Sequence, residues 1–265
     1  MCIFKEMKIV VCIKQVPDTT EIKINPVTGT LIRDGVPSII NPDDKSGLEA
    51  ALTLKEKHGA HVTVITMGPP QADAVLREAM AMGADDAILL TDRKFAGADT
   101  LATSHALAAA LSKMEWDLII TGRQAIDGDT AQVGPQIAEH LDIPQVSYVQ
   151  DIDYNGSIFT VKKQTEEGYQ VLEAEAPLLV TVLSSANKPR YMSVKGIVNA
   201  IDKEVKVSGV ADIEAEESKM GLKGSPTKVH KAFSKGVKSA GEQFEVEEEE
   251  AVGIIISKLK EKFII

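Results

Sequence analysis

The chain reads as an α/β protein, a doubly wound and mostly parallel sheet with an antiparallel extension and a C-terminal arm. Three observations predict this. Four short β-branched apolar runs, KIVVCI (8–13), HVTVITM (61–67), DAILLT (86–91) and DLIITG (117–122), alternate with helical segments. Such near-continuous runs suit strands buried on both faces of a parallel sheet. From about residue 146 the pattern changes to apolar/polar alternation around YNGS and EEGY, which describes an antiparallel meander running to about 183. Beyond residue 200 the chain becomes loop-rich and charged, then closes on an amphipathic segment, AVGIIISKLKEKFII.

Each element carries its own signals. The first helix has Asn41 as N-cap, Pro42 at its first position and Gly59 as its stop. The second places Val75, Leu76, Ala79 and Met80 on one face and ends at Gly83. Asp99 caps the third. After Asp129, the residues Val133, Ile137 and Leu141 recur every four positions, which predicts a fourth helix. Between the first strand and its helix lies an insertion, residues 16–45, in which EIKIN and TLIR flank PVTG as a small hairpin. The expected organisation is an α/β domain over residues 7–200, followed by an arm and helix over 201–265 that dock on a partner. The run EVEEEE within that arm reads as solvated and disordered.

Composition excludes several functions. A formal charge of −10 argues against a phosphate-backbone partner, because nucleic-acid binders usually carry a basic face. Aromatic residues make up only 4% of the chain, so base-stacking platforms are scarce. No apolar run approaches the ~20 residues of a membrane span, and the N-terminus lacks the features of a signal peptide. Two cysteines, Cys2 and Cys12, make neither a disulfide framework nor a metal knuckle. The expected location is cytoplasmic, and Met7 is an alternative start to Met1. The histidines (58, 61, 105, 140 and 230) form no ligand pair at helical spacing, so no bound metal is expected.

The segment TGRQAIDGDTAQVGPQIAEHL (121–141) carries the chemistry. It follows a parallel strand and enters a helix, and ligands of open α/β sheets bind at that edge. The first amides of the helix lack intrahelical partners and suit a phosphate. Gly128 permits close approach, Thr130 and Gln132 add donors, and Ala125 and Ile126 offer an apolar shelf to an adenine ring. The competing reading is plainer: Asp129 caps the helix and the glycines make a turn. Neither G-x-G-x-x-G nor G-x-x-x-x-G-K-[ST] occurs, so the residues alone support a nucleotide site without fixing it. An adenylate-hydrolysing or nucleotide-sensing enzyme would need a glycine-rich loop after the first strand, and CIKQVPDT is not one.

Six blocks in order, VCIKQVPD, INPDD, TMGPPQ, AMGAD, GRQAIDGDTAQVGPQIAEHL and NKPRYMSV, resemble the β subunit of electron-transfer flavoproteins, from Met7 to Ile265. The resemblance implies a Rossmann-like fold and a heterodimer with an α subunit that carries FAD. It implies an adenine nucleotide held by Cys12, Asn41, Met67 and the run Gly122, Arg123, Gln124, Ala125, Ile126, Asp127, Gly128, Asp129, Thr130, Ala131, Gln132, Val133 and Gly134. Read as residues, Cys12 and Met67 also suit core packing, Asn41 suits capping, and Arg123 either meets a phosphate or flavin or pairs with Asp127 or Asp129.

Housekeeping members of this family hold structural AMP and only shuttle electrons. A bifurcating group holds a second FAD and takes hydride from NADH. The insertion, with its PDT, TGT and GVPSIINPDD elements, is similar to that of the bifurcating group. The resemblance then implies a non-autonomous subunit of an NAD-dependent, ferredoxin-coupled flavin oxidoreductase complex, with no catalysis from this chain alone. It also places a recognition loop for a partner flavin dehydrogenase at PRYMSVKGIVNA, over residues 189–200, with Arg190, Tyr191 and Val194 as contacts. Val194 stands where the family usually has leucine. A tight turn with Tyr191 packed inward is the alternative there.

Overall fold

The computed structural model describes residues 6–18, 37–227 and 241–265. They fall into two compact units, with 6–18 and 37–227 in the first and 241–265 in the second. The first unit opens with β1 (Lys8–Cys12), β2 (Gln15–Pro17) and β3 (Ser38–Ile40). Alternation follows through α1 (Pro42–His58), β4 (His61–Met67), α2 (Asp73–Met82), β5 (Asp86–Leu90), α3 (Thr100–Leu111), β6 (Leu118–Gly122) and α4 (Val133–Leu141). Then come β7 (Gln145–Tyr154), β8 (Ile158–Thr165), β9 (Gly168–Glu175), β10 (Leu178–Val182), α5 (Val194–Asp202), β11 (Val205–Ser208) and α6 (Gly221–Gly224). The second unit holds α7 (Glu248–Glu261).

Nine strands form one sheet in the order β11-β5-β4-β1-β6-β10-β7-β8-β9. All neighbours from β11 to β7 pair in parallel, and β7, β8 and β9 are antiparallel. Helices α1 and α2 bury Leu48, Leu52, Val75 and Leu76 against one face, while α3 and α4 bury Leu107 and Ile137 against the other. The chain winds from β1 outward to β5, then returns through α3 to β6 on the other side of β1. That reversal opens a crevice between the C-terminal ends of β1 and β6.

The local signals explain the element ends. Gly59 takes a left-handed conformation at φ 71° and donates its N–H to the Lys55 carbonyl, stopping α1. Asp99 caps α3, its carboxylate accepting from the Ala102 amide at 3.0 Å. The four N-terminal apolar runs are strands within a residue of their expected bounds.

Three expectations change. LLVTV, grouped with the meander in the sequence, is β10, which inserts between β6 and β7 and runs parallel to both. All five of its residues are buried, and such a continuous apolar run belongs inside a parallel sheet. The boundary expected at residue 200 falls inside α5, and β11 joins the sheet edge, so residues 201–227 sit with the first unit. The acidic run is not all coil: Glu248, Glu249 and Glu250 form the first turn of α7, where negative side chains complement the helix dipole. The hairpin EIKIN–PVTG–TLIR lies outside the described residues. The insertion is closed at its base by β2 and β3, paired antiparallel with Gln15 opposite Ile40. Among the described residues, no helix is long and apolar enough to cross a membrane.

Candidate functional site

A cavity of about 640 Å³ opens at the crevice, a size usual for small-molecule sites. Four strand ends line it. Cys12 ends β1 and Lys14 follows it, Met67 ends β4 and Pro69 follows it, residues 95–100 follow β5, and the end of β6 with the loop after it supplies the longest wall. From that loop Gly122, Arg123, Gln124, Ala125 and Gly128 reach the cavity, as do Thr130, Ala131, Gln132, Val133 and Gly134. Asn41, Ile126, Asp127 and Asp129 do not line it. Cys12 is buried, and burial, with the Asp44 carboxylate behind it, pushes its thiol up to about 12. It is therefore a neutral apolar contact.

The wall is pinned from behind by the first residues of α1. Asn41 occupies the N-cap position, yet its side chain does not cap the helix. Instead its amide donates to the Gln124 carbonyl at 2.8 Å and its oxygen accepts from the Ile126 amide at 3.0 Å. Asp44 accepts from the amides of Lys14 at 2.8 Å and Gly122 at 2.9 Å. A Cβ on Gly122 would stand 2.3 Å from that carboxylate, so only glycine lets β6 come this close to α1.

The loop's own charges pair otherwise than its sequence suggested. Arg123 lies 3.3 Å from Asp43, not against Asp127 or Asp129. Asp127 takes Lys14 from the far side of the crevice at 2.5 Å. Asp129 does not cap α4. It sits at φ 49° and accepts from the Gln124 side chain at 2.7 Å, while the helix begins four residues later. The N-cap position is Gln132, whose side chain makes no capping bond and instead accepts from the Thr100 hydroxyl at 2.8 Å. With Pro135 third in the helix and lacking an N–H, Val133 and Gly134 present the first two helical amides at the cavity. That end suits an anion.

Comparison with known proteins agrees with this architecture. The electron transfer flavoprotein domain matches residues 28–213. The electron transfer flavoprotein subunit beta of Clostridium acetobutylicum is 59% identical over 256 residues, covering 97% of this chain and 99% of that protein. The chain belongs to the electron-transfer flavoprotein β-subunit family. The electron transfer flavoprotein subunit beta of Thermoanaerobacterium thermosaccharolyticum is 55% identical over 260 residues, covering 98% of this chain and all of the relative. Subunit CarD of the caffeyl-CoA reductase–Etf complex of Acetobacterium woodii is 52% identical over 262 residues, with the same coverage. The protein is thus a β subunit in electron transfer.

As a β subunit it carries a second feature, apart from the cavity. Arg190 is anchored, its guanidinium donating to Glu49 at 2.9 Å and to Glu56. The two carboxylates hold it charged well above its ordinary value. Tyr191 is 91% exposed, which overturns the inward-packed alternative, and Val194 is 81% exposed. Ser193 caps α5 by accepting from the Gly196 amide at 2.9 Å, and the helix adds Ile197, Val198 and Ile201 to the exposed strip.

Residues that the sequence reading missed include Lys14, Asp44 and the stretch after β5, with Phe95, Gly97 and Thr100. A signal existed for the last. KFAGADT follows a parallel strand and precedes a capped helix, the same position that drew attention to residues 121–141. For Asp44 the only hint was an acid in a helix's first turn, which capping and dipole effects already explain.

Proposed function

We propose that the cavity holds FAD and that the chain is the hydride-accepting subunit of a bifurcating electron-transfer flavoprotein, paired with an FAD-carrying α subunit. The observation that carries this is the reach of the cavity across the ends of β5, β4, β1 and β6. Four adjacent strands span about 14 Å at ~4.8 Å per spacing, a width suited to a dinucleotide rather than to a mononucleotide lodged at one loop. When bound, FAD would take hydride from NADH and pass the electrons on singly, one to a low-potential acceptor such as ferredoxin, the other through the α-subunit FAD to a flavin dehydrogenase.

The chain's own part is to bind and orient. The amides of Val133 and Gly134 and the Thr130 hydroxyl suit the phosphates. Cys12, Met67 and Ala125 supply apolar contact, while Gln124 is held by Asn41 at its backbone carbonyl and by Asp129 at its side-chain amide. No side chain here needs to act as acid or base. The strip from Tyr191 to Ile201 is the surface offered to the dehydrogenase, and the second unit with α7 is offered to the α subunit. CarD, a subunit of a reductase complex, supports that reading by its similarity.

Denaturing the co-purified heterodimer and quantifying the released nucleotides by chromatography tests the assignment. Two FAD and no AMP per heterodimer is the expected result. One FAD and one AMP would make the chain a housekeeping shuttle and overturn the proposal.

A further inference from the structure

Asp43 and Asp44 are 4% and 7% exposed, and both turn away from their own helix. Asp44 accepts from Lys14 N with Oδ2 and from Gly122 N with Oδ1. Asp43 accepts from Ser184 N at 3.0 Å with Oδ1 and from Gln124 N at 3.3 Å with Oδ2. These four amides stand at or just past the ends of β1, β6 and β10. First-turn acids commonly serve a helix's own amides; these tie it to three neighbouring strands.

We propose that Asp43 and Asp44 are positioning residues: they clamp the ends of β1, β6 and β10 to α1, hold the cavity wall in its nucleotide-binding shape, and loosen when Asp44 takes a proton. The proposal rests on the nucleotide reading above. Burial pushes the Asp44 carboxyl up to about 7, with the Asp43 charge adding to the rise and Asn41 and the two amides opposing it. The groups facing it leave it as the titrating member. Cys12 from β1 stays neutral, Arg123 after β6 is taken by Asp43, and the Lys14 ammonium is held by Asp127. A protonated Asp44 has one carbonyl oxygen left as a good acceptor, so one of its two amides loses its partner.

The sign follows from that loss. Below the titration the clamp is half made, and above it the clamp is complete, so bound nucleotide leaves more slowly at high pH. The test measures release of bound FAD or AMP from the full chain, in the complex in which it purifies, from about pH 6 to about pH 8.5. Wild-type release should slow severalfold across neutral pH. Asp44→Asn should release fast at every pH. Asp43→Asn should release faster than wild type and keep the pH dependence, its midpoint moved lower because the neighbouring charge is gone. A flat wild-type profile, or an Asp44→Asn chain with the wild-type slope, overturns the proposal. If Asp44→Asn does not fold, the wild-type and Asp43→Asn profiles decide.

If the wild type holds neither FAD nor AMP, the nucleotide reading fails, and amide hydrogen exchange then reads the clamp separately. The Lys14 and Gly122 amides should be protected in the wild type, and one of them should lose protection in Asp44→Asn or, in the wild type, on acidification after correction for intrinsic exchange. Protection unchanged by either treatment overturns the clamp.

Discussion

Two glycines of one loop separate open cavity space from the space the fold needs. A Cβ on Gly134 would meet the Thr121 hydroxyl at 2.5 Å and the Thr181 methyl at 2.9 Å, because α4 enters directly over β6 and β10. A Cβ on Gly128 would meet nothing within 4 Å, though Gly128 faces the cavity. Gly134→Ala should therefore cost about 1–3 kcal/mol through overpacking, read by denaturant unfolding of the nucleotide-free chain. Gly128→Val should change that stability by no more than about 0.5 kcal/mol yet lower the nucleotide content of the purified complex. Full nucleotide in Gly128→Val would move the ligand away from this part of the wall. Between the two glycines, Asp129 at φ 49° and Ala131 at φ 53° hold a conformation that L residues avoid. Strain of this kind persists where the surroundings over-determine the backbone, here through Asn41, Lys14 and Gln124.

At the scale of elements, what was legible in the sequence depended on the range of the interaction that decides it. Strand runs and helix stops are written locally, so β1, β4, β5 and β6 and the ends of α1 and α3 could be read directly. The loop that lines the cavity was legible by its place after a parallel strand. The partners of its charges were not, since Lys14 and Asp127 lie 113 positions apart and Asp43 and Ser184 lie 141 apart. Strand β10 was misplaced because its neighbours are chosen by burial of a whole run, while the meander before it sets the opposite expectation. α5 shows local and distant causes acting together. Ser193 starts it, and Arg190 ties the preceding turn to Glu49 and Glu56 on α1. Ser193→Ala should remove about 1 kcal/mol of helix stability. Amide exchange should rise across residues 194–202 while β1 and β6 stay protected. Equal exchange in both forms would mean that packing on α2, not the cap, sets the start of α5.

For the whole molecule, the distribution of apolar surface matters more than the net charge. A formal charge of −10 makes copies of the chain repel one another, yet Tyr191, Val194, Val198 and Ile201 are more than half exposed around one short helix. The second unit likewise exposes Val252, Ile255 and Phe263 along and beyond α7. Contiguous exposed apolar strips mark partner surfaces, and two strips on separate units fit a β subunit with two protein partners. If the α5 strip meets the dehydrogenase, a charge there should damage electron delivery and leave the cavity untouched. Val194→Asp combined with Ile197→Asp should lower the rate of dehydrogenase reduction by about tenfold or more, since the loss of one buried anchor commonly exceeds 1 kcal/mol. Its nucleotide content and its association with the α subunit should equal those of the wild type. Ile255→Asp on α7 should do the reverse, lowering heterodimer yield on size exclusion without acting on the dehydrogenase step in the heterodimer that remains. A Val194→Asp, Ile197→Asp chain that reduces the dehydrogenase normally but fails to hold the α subunit would exchange the two assignments, because each strip would then serve the other partner.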